Sequence, residues 1–447
     1  MNKNLFVLTF MLAAVAILSS GCSTVRKARE AQDDANRLNG ERVISFAETG
    51  LDANAPCTLD QLESAALMAS PAMLQASQAV VLAQLAVRDI DSTLIPTLDA
   101  SIGYTYSGTD VSGEWANVDG PIVSGTLNWL LYDFGKTSAA SAQALANLTA
   151  AEQKLRTTAN ATRYGVRSAC FALRRAQELQ VVAEESVAVY AEHLKQMEDR
   201  FSVGAVNSYA VSKSQVDFSN AKLSLVTASN SVKVARTSLN AALALIDAPE
   251  LKLAEPVIAN YTEKTVAELM EIAYTNAPTL ASLRFQAEGA RHYVDKTIAD
   301  LYPNIGINLK YDGSFDEDWI SQVVGTAALT ESVFSAGRKR RAIEAAVAQL
   351  RIARSAVAAE ELALFNQLTA AHLDATRATD QLNVAKETAQ LAQENFDIVS
   401  AQYEVGGASE LERTDAQVAL TSAKAAEVSA QYDYYAAQVK IANLIGE

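Results

Sequence analysis

The chain states one pattern twice. Ala69-Ser70-Pro71 returns as Asn276-Ala277-Pro278, and Ile95-Pro96 returns as Tyr302-Pro303, both 207 positions on. Phe134-Gly135-Lys136 returns as Ala336-Gly337-Arg338, Phe201-Ser202-Val203-Gly204 as Tyr403-Glu404-Val405-Gly406, and Ser214-Gln215-Val216 as Ala416-Gln417-Val418, all 202 positions on. The offset changes once, between Pro96 and Gly135, and is constant on either side. One unit was duplicated, with a five-residue length difference in a single connection. Whatever fold forms must therefore be built from two copies of one supersecondary unit, here residues 58–250 and 251–447.

Each unit opens with a helical pattern, Leu59–Thr93 in the first copy and Val266–Leu301 in the second, closed by Pro96 and Pro303. The period then switches to two. Leu98, Ala100, Ile102, Tyr104 and Tyr106 alternate with Asp99, Ser101, Gly103, Thr105 and Ser107, and Ile305, Ile307, Leu309 and Tyr311 alternate with polar residues in the second copy. Such alternation describes strands with one apolar and one polar face. We place strands at 97–108, 121–133, 304–315 and 319–333. Turn-rich stretches lie between them, around Gly108, Gly113 and Gly120 and around Gly313 and Asp316.

Long helices follow. From Ala139 to Phe201 there is no proline, and Leu148, Leu155, Thr162, Ala169, Ala176, Ala183, Tyr190 and Met197 fall seven apart. A second row includes Leu145, Val166, Leu173, Leu194 and Phe201, and both rows persist after a shift of 202. This is a sustained heptad, far too long for a compact globular domain. Each long helix ends at a glycine-containing tip, at 202–208 and at 404–410, and a returning helix follows, Tyr209–Ile246 and Leu411–Ile445.

Residues 1–21 read as a signal peptide: Lys3, an apolar run from Leu5 to Leu18, then small residues. Gly21-Cys22 resembles a bacterial lipobox, in which Cys22 becomes the acylated N-terminus, although Ser19 stands where leucine is usual. Residues 22–57 read as a lipidated linker with one polar helix across Val25–Leu38. Cys57 and Cys170 are too few for a disulfide framework and read as free thiols.

The net charge of −15 speaks against nucleic acid, whose phosphates demand a basic face. After the signal no run of about 18 apolar residues occurs, so a membrane crossing would require a closed β-barrel. Four strands cannot close one, because membrane barrels start at about eight. The strands must either pack on the chain's own helices or be shared among protomers. Tyr104, Tyr106, Trp129, Tyr132 and Tyr311, toward the strand ends, favour the membrane.

With the unit, its duplication, the junctions Phe134-Gly135-Lys136 and Ala336-Gly337-Arg338 and the two Val-Gly tips in place, the chain resembles the TolC family of outer-membrane efflux proteins over essentially all of residues 58–447. The resemblance implies an α+β membrane protein assembled as a homotrimer, with a 12-stranded outer-membrane β-barrel continued by a periplasmic α-helical barrel. It implies an exit duct served by an inner-membrane transporter and a periplasmic adaptor protein, tethered to outer-membrane lipid through Cys22. Adaptor docking falls on Val203, Gly204 and Ala205 and on Val405, Gly406 and Gly407. The periplasmic aperture falls on Tyr403, Glu412 and Asp415, whose carboxylates, three apart on one helix face, would form cation-favouring rings in a trimer. Ala408 and Ala210 stand where the family's best-known lock has a charged pair, so that lock is not expected here.

An enzyme finds no support. His193, His292 and His372 lack metal-ligand spacing, and neither a phosphate loop nor a nucleophile elbow occurs, so no cofactor is implied. The alternative of a periplasmic coiled-coil scaffold without a pore leaves the aromatic-ended strands unexplained.

Overall fold

The computed structural model describes residues 24–33, 35, 46–52, 55–111, 114–246, 249–256, 258–315, 319–332 and 334–447. Cys22 and the expected signal peptide lie outside the described residues, as do Gly113 and Asp316. Residues 24–33 are helical and form the described part of α1. The first unit then runs β1 (Pro56–Cys57), α2 (Leu59–Ala69), α3 (Pro71–Ser92), β2 (Thr97–Val111), β3 (Glu114–Tyr132), α4 (Lys136–Ser202) and α5 (Ser208–Ala242). The second repeats it as β4 (Lys252–Leu253), α6 (Val266–Asn276), α7 (Pro278–Ala299), β5 (Asn304–Phe315), β6 (Trp319–Thr330), α8 (Arg338–Glu404) and α9 (Glu410–Ile445).

The opening segment of each unit is two helices, not one. Proline occupies the first position of α3 and of α7, where its missing N–H costs nothing. Its ring forces the preceding residue out of the α region, and Ser70 and Ala277 are accordingly extended, with ψ of 121° and 110°. The resulting break bends α2 against α3 by 57°. Both short helices start with reciprocal capping boxes, Thr58 with Gln61 and Thr265 with Glu268.

The four long strands form one antiparallel sheet in the order β2-β3-β5-β6. Its register aligns like with like. Leu98, Leu127, Leu309 and Gly325 share one row, and the adjacent row, on the opposite face, carries Asp99, Thr126, Lys310 and Val324. One face is thus apolar across all four strands and the other largely polar, where Asn308 donates to Asn128 at 2.7 Å. The strands overrun the expected turns. Pairing continues to Val111 opposite Glu114, and Gly108, Gly120 and Gly313 all lie in strands. Antiparallel pairing satisfies every main-chain donor and acceptor it covers, so these glycines extend the ladder rather than end it. The last strand stops three residues short of the expected 333, at Thr330.

The helices α4 and α8 each have 67 residues, about 100 Å at 1.5 Å per residue. Their heptad rows are buried where a neighbour covers them: Val166, Leu173, Ala176, Leu194 and Met197 on α4, and Leu364, Leu368, Ala371, Ala375, Ala378, Ala389 and Tyr403 on α8. Leu145 and Phe201, on the same rows, are exposed. The tertiary arrangement explains the difference. Toward the sheet the helices lie in the order α3-α4-α7-α8, and toward the tips in the order α5-α4-α9-α8. The inner helix α4 has partners on both sides, whereas α3, α5 and α8 lie at the rims.

Each unit has its own core at mid-height, and the two correspond residue for residue. Leu62, Ala66, Val166, Leu173, Leu239 and Leu243 in the first are matched by Leu269, Ala273, Leu368, Ala375, Ile441 and Ile445 in the second. The buried free thiols of Cys57 and Cys170 belong to the first core. A smaller cluster, Phe171 with Tyr432 and Val439, joins the units. Leu368 is fully buried, so Leu368→Ala should cost about 2–5 kcal/mol, the range for a leucine cavity. Denaturant unfolding in detergent measures this, and a loss no larger than that of Lys386→Ala, an exposed polar position on the same helix, would contradict the assigned core.

Candidate functional site at the hairpin tips

The two hairpins end in the same turn. Gly204 and Gly406 adopt left-handed φ values of 73° and 78°, which an L side chain resists. Each sits just past a helix C-terminus, and the following N–H groups of Ala205 and Gly407 return to Arg200 and Gln402 carbonyls at 2.9 and 2.7 Å. These bonds satisfy carbonyls that the helix end would leave orphaned. The returning helices are capped by Asn207, which accepts from the Ala210 N–H, and by Ser409 in a capping box with Glu412. Both tips push an apolar side chain outward: Val203 is 78% exposed and Val405 84%. Ala205, Gly406 and Gly407 are exposed beside them.

The residues expected at an aperture separate into two environments. Tyr403 is buried between the hairpins. Its hydroxyl accepts from Arg200 Nη1 at 3.0 Å, and the guanidinium carbons of Arg200 and Arg413 stand 5.1 and 5.2 Å from its ring centre, within cation–π range. Glu412 and Asp415 are instead exposed. The Glu412 carboxylate accepts from the Ser409 main-chain N–H at 2.7 Å, a bond that holds its pKa below the usual carboxylate range.

The tightest chemistry in this region involves residues that the sequence did not single out as a site. His193 on α4 is 5% exposed. Arg413 Nη1 lies 2.7 Å from its Nδ1 and 3.4 Å from Gln196 Oε1. Arginine can only donate, so Nδ1 is the acceptor and the imidazole is neutral with its proton on Nε2. That nitrogen faces Glu410 Oε1 at 3.6 Å, too far for a hydrogen bond, and both atoms are buried without a partner. Burial pushes the His193 pKa down, and the Arg413 and Lys213 charges add to this while Glu410 opposes it. The cluster ties the first hairpin, through His193 and Arg200, to the second, through Tyr403, Glu410 and Arg413. The signal that could have located it is a breach of the repeat: the counterparts of His193 and Arg200 are Asn395 and Gln402, and that of Arg413 is Val211.

The folded pKa of His193 lies below the ordinary one of about 6.5, so on acidification the unfolded chain takes up the proton first. Stability from the neutral ring is complete above about pH 6.5 and is lost as pH falls through the folded value. A protonated Nδ1 would also oppose the Arg413 N–H and loosen the tie between hairpins. Spin-label distances between α4 and α9 near the tips should broaden between pH 7.5 and pH 5. His193→Gln should flatten that response, and an equal response in the variant would assign it to other groups.

The outer membrane efflux protein family matches residues 62–245 and 269–447. The cobalt-zinc-cadmium resistance protein CzcC of Cupriavidus metallidurans is 24% identical over 312 residues, 66% of this chain and 72% of that protein. The fold is that of the CmeC outer membrane channel of Campylobacter jejuni, with a TM-score of 0.75, 15% identity and coverage of 87% of this chain and 85% of that one. It is also that of the outer membrane protein VceC of Vibrio cholerae, with a TM-score of 0.72, 17% identity and coverage of 87% and 96%. With both repeat units matched, this chain belongs to the outer membrane efflux protein family, a non-enzymatic channel of tripartite efflux systems with its helical domain in the periplasm.

Proposed function

We propose that this efflux channel is a ring of three copies, docked through the two tips of each protomer to a periplasmic adaptor, through which an inner-membrane transporter delivers substrate to the duct. The observation that carries the reading is that every layer of the protomer ends in an open edge on the same two flanks. β2, α3 and α5 end one flank, and β6 and α8 end the other. Unpaired strand edges cannot stand in lipid, where no water satisfies the main chain, and four strands are too few to close. One heterologous contact, repeated by rotation, satisfies all of these edges together. Apolar residues on the flanks support it. Leu373, Val384, Leu391 and Ile398 on α8, and Val216 and Leu223 on α5, are more than half exposed in the single chain.

Docking at the tips is supported by the outward Val203 and Val405 and by the remoteness of both turns from the sheet. Gly204→Asp with Gly406→Asp places a charged side chain in two left-handed turns. This variant should keep a three-chain mass in detergent yet lose export and adaptor crosslinking. Unchanged crosslinking and export would move docking elsewhere, and a stable, detergent-free monomer of the unmodified protein would overturn the ring.

The exposed Glu412 and Asp415, rather than the buried Tyr403, give the aperture its preference for cations, since three copies bring six carboxylates around one path. Glu412→Gln with Asp415→Asn should reduce cation selectivity in planar bilayers, and unaltered selectivity would assign both to a solvated outer face. Acylated Cys22 anchors the chain to outer-membrane lipid, and intact mass shows whether the mature protein begins there.

A further inference from the structure

The duplication supplies a template for the contact that a single protomer lacks. Within the chain, the first unit packs on the second through β3 against β5 and through α4 against α7 and α9. Under the repeat offsets, the same contact made by the far side of the second unit brings β6 to β2, and α8 to α3 and α5, of a neighbouring copy. The offsets hold at side-chain level, where they superpose the two cores residue on residue. They also preserve facing in the sheet: Thr326 falls opposite Thr105, and both belong to the polar face.

We propose that copies of this chain join in the register set by Glu387 on α8 of one protomer and Lys222 on α5 of the next. The template is the ion pair between Glu185 on α4 and Lys424 on α9, at 3.0 Å. Glu185 and Lys424 have as their counterparts Glu387 and Lys222, an acid for an acid and a base for a base. Both counterparts are exposed in the protomer. Among the described residues neither has an ion-pair partner, and the Lys222 ammonium lies back over its own Phe218 ring at 4.0 Å. The chemistry is kept at two further heights along the seam. The Tyr432 hydroxyl donates to Glu178 at 2.5 Å, and the matching positions hold Asn230 and Asp380, again a donor facing a carboxylate. At the sheet end Lys136 Nζ donates to the Tyr302 carbonyl at 2.7 Å, and the matching positions are Arg338 and the Ile95 carbonyl. Like charges or mismatched groups at these places would penalise a slipped seam. The exposed apolar stripe of α8 supplies attraction along its whole length, and the ion pair selects among its heptad registers.

The inference rests on the ring reading, and the test separates the two. The wild-type protein in detergent is treated with a water-soluble carbodiimide, which joins a lysine amine directly to a carboxylate that touches it. The products are separated by denaturing electrophoresis and mapped by peptide mass spectrometry. A Lys424–Glu185 link should appear in every band, the single chain included, and acts as the internal control. A Lys222–Glu387 link should appear only in bands of two and three chains. Lys222→Glu should abolish it, and Lys222→Glu with Glu387→Lys should restore it with the partners exchanged. A Lys222–Glu387 link within single chains overturns the proposal. So does its absence from a protein whose mass is three chains and whose control link forms, which leaves the ring standing with another register. An unmodified protein that has the mass of one chain overturns both.

Discussion

The rest of the structure depends on the seam between the two repeat units. A sheet of four strands and a layer of helices both have two edges, and burial against a single partner can cover only one of them. The chain covers one by packing its first unit against its second, around Phe171, Tyr432 and Val439, and exposes the mirror of that surface at its rims. A protomer built this way has an apolar face on its sheet and unmatched heptad stripes on α5 and α8, both unfavourable in water. Membrane and neighbouring copies are the environments in which such surfaces are stable. The fold is therefore the fold of a part, and its exposed hydrophobic residues mark contacts the isolated chain does not make.

The departures from repeat symmetry are as informative as its maintenance. At mid-height both units keep the same core, because each must bury a bent pair of short helices against its own long ones. Near the tips they diverge. His193, Arg200, Tyr403 and Arg413 form a cationic and aromatic cluster inside the protomer, and the offsets put Asn395, Gln402, Phe201 and Val211 in their places at the outer seam. The inner seam is tied by charge-assisted hydrogen bonds, and the outer seam has no counterpart to them. In the proposed ring of three, only the three seams inside protomers would carry this tie near the tips, so the tips could loosen between protomers while each protomer holds together.

Much of the architecture was legible in the residues. Period two in Leu98–Tyr106 and period seven from Leu148 to Met197 each belong to one kind of element, and their recurrence at a fixed offset defines the unit. The tips were equally plain, because glycine after a long heptad run has a specific backbone meaning. The breaks at Pro71 and Pro278 were visible as prolines, yet an apolar period that continues through them read as one helix. The turn stretches misled for the opposite reason: glycines marked as breakers were held in strand by a partner strand that no local pattern reveals.

The sequence by itself determined the duplication, the element types, the four-strand shortfall and the two glycine turns. Each follows from local sterics and from periodicities that short segments already carry. Only the tertiary structure decided which helices are inner and which are rims, that Tyr403 lies buried under two guanidinium groups while Glu412 is committed to a helix cap, and that a histidine without any motif sits neutral between Arg413 and Glu410. These depend on pairs such as His193 and Arg413, far apart along the chain, which meet because two heptad helices cross-pack at one height. Contact across such distances is set by packing, and no period in the sequence encodes it.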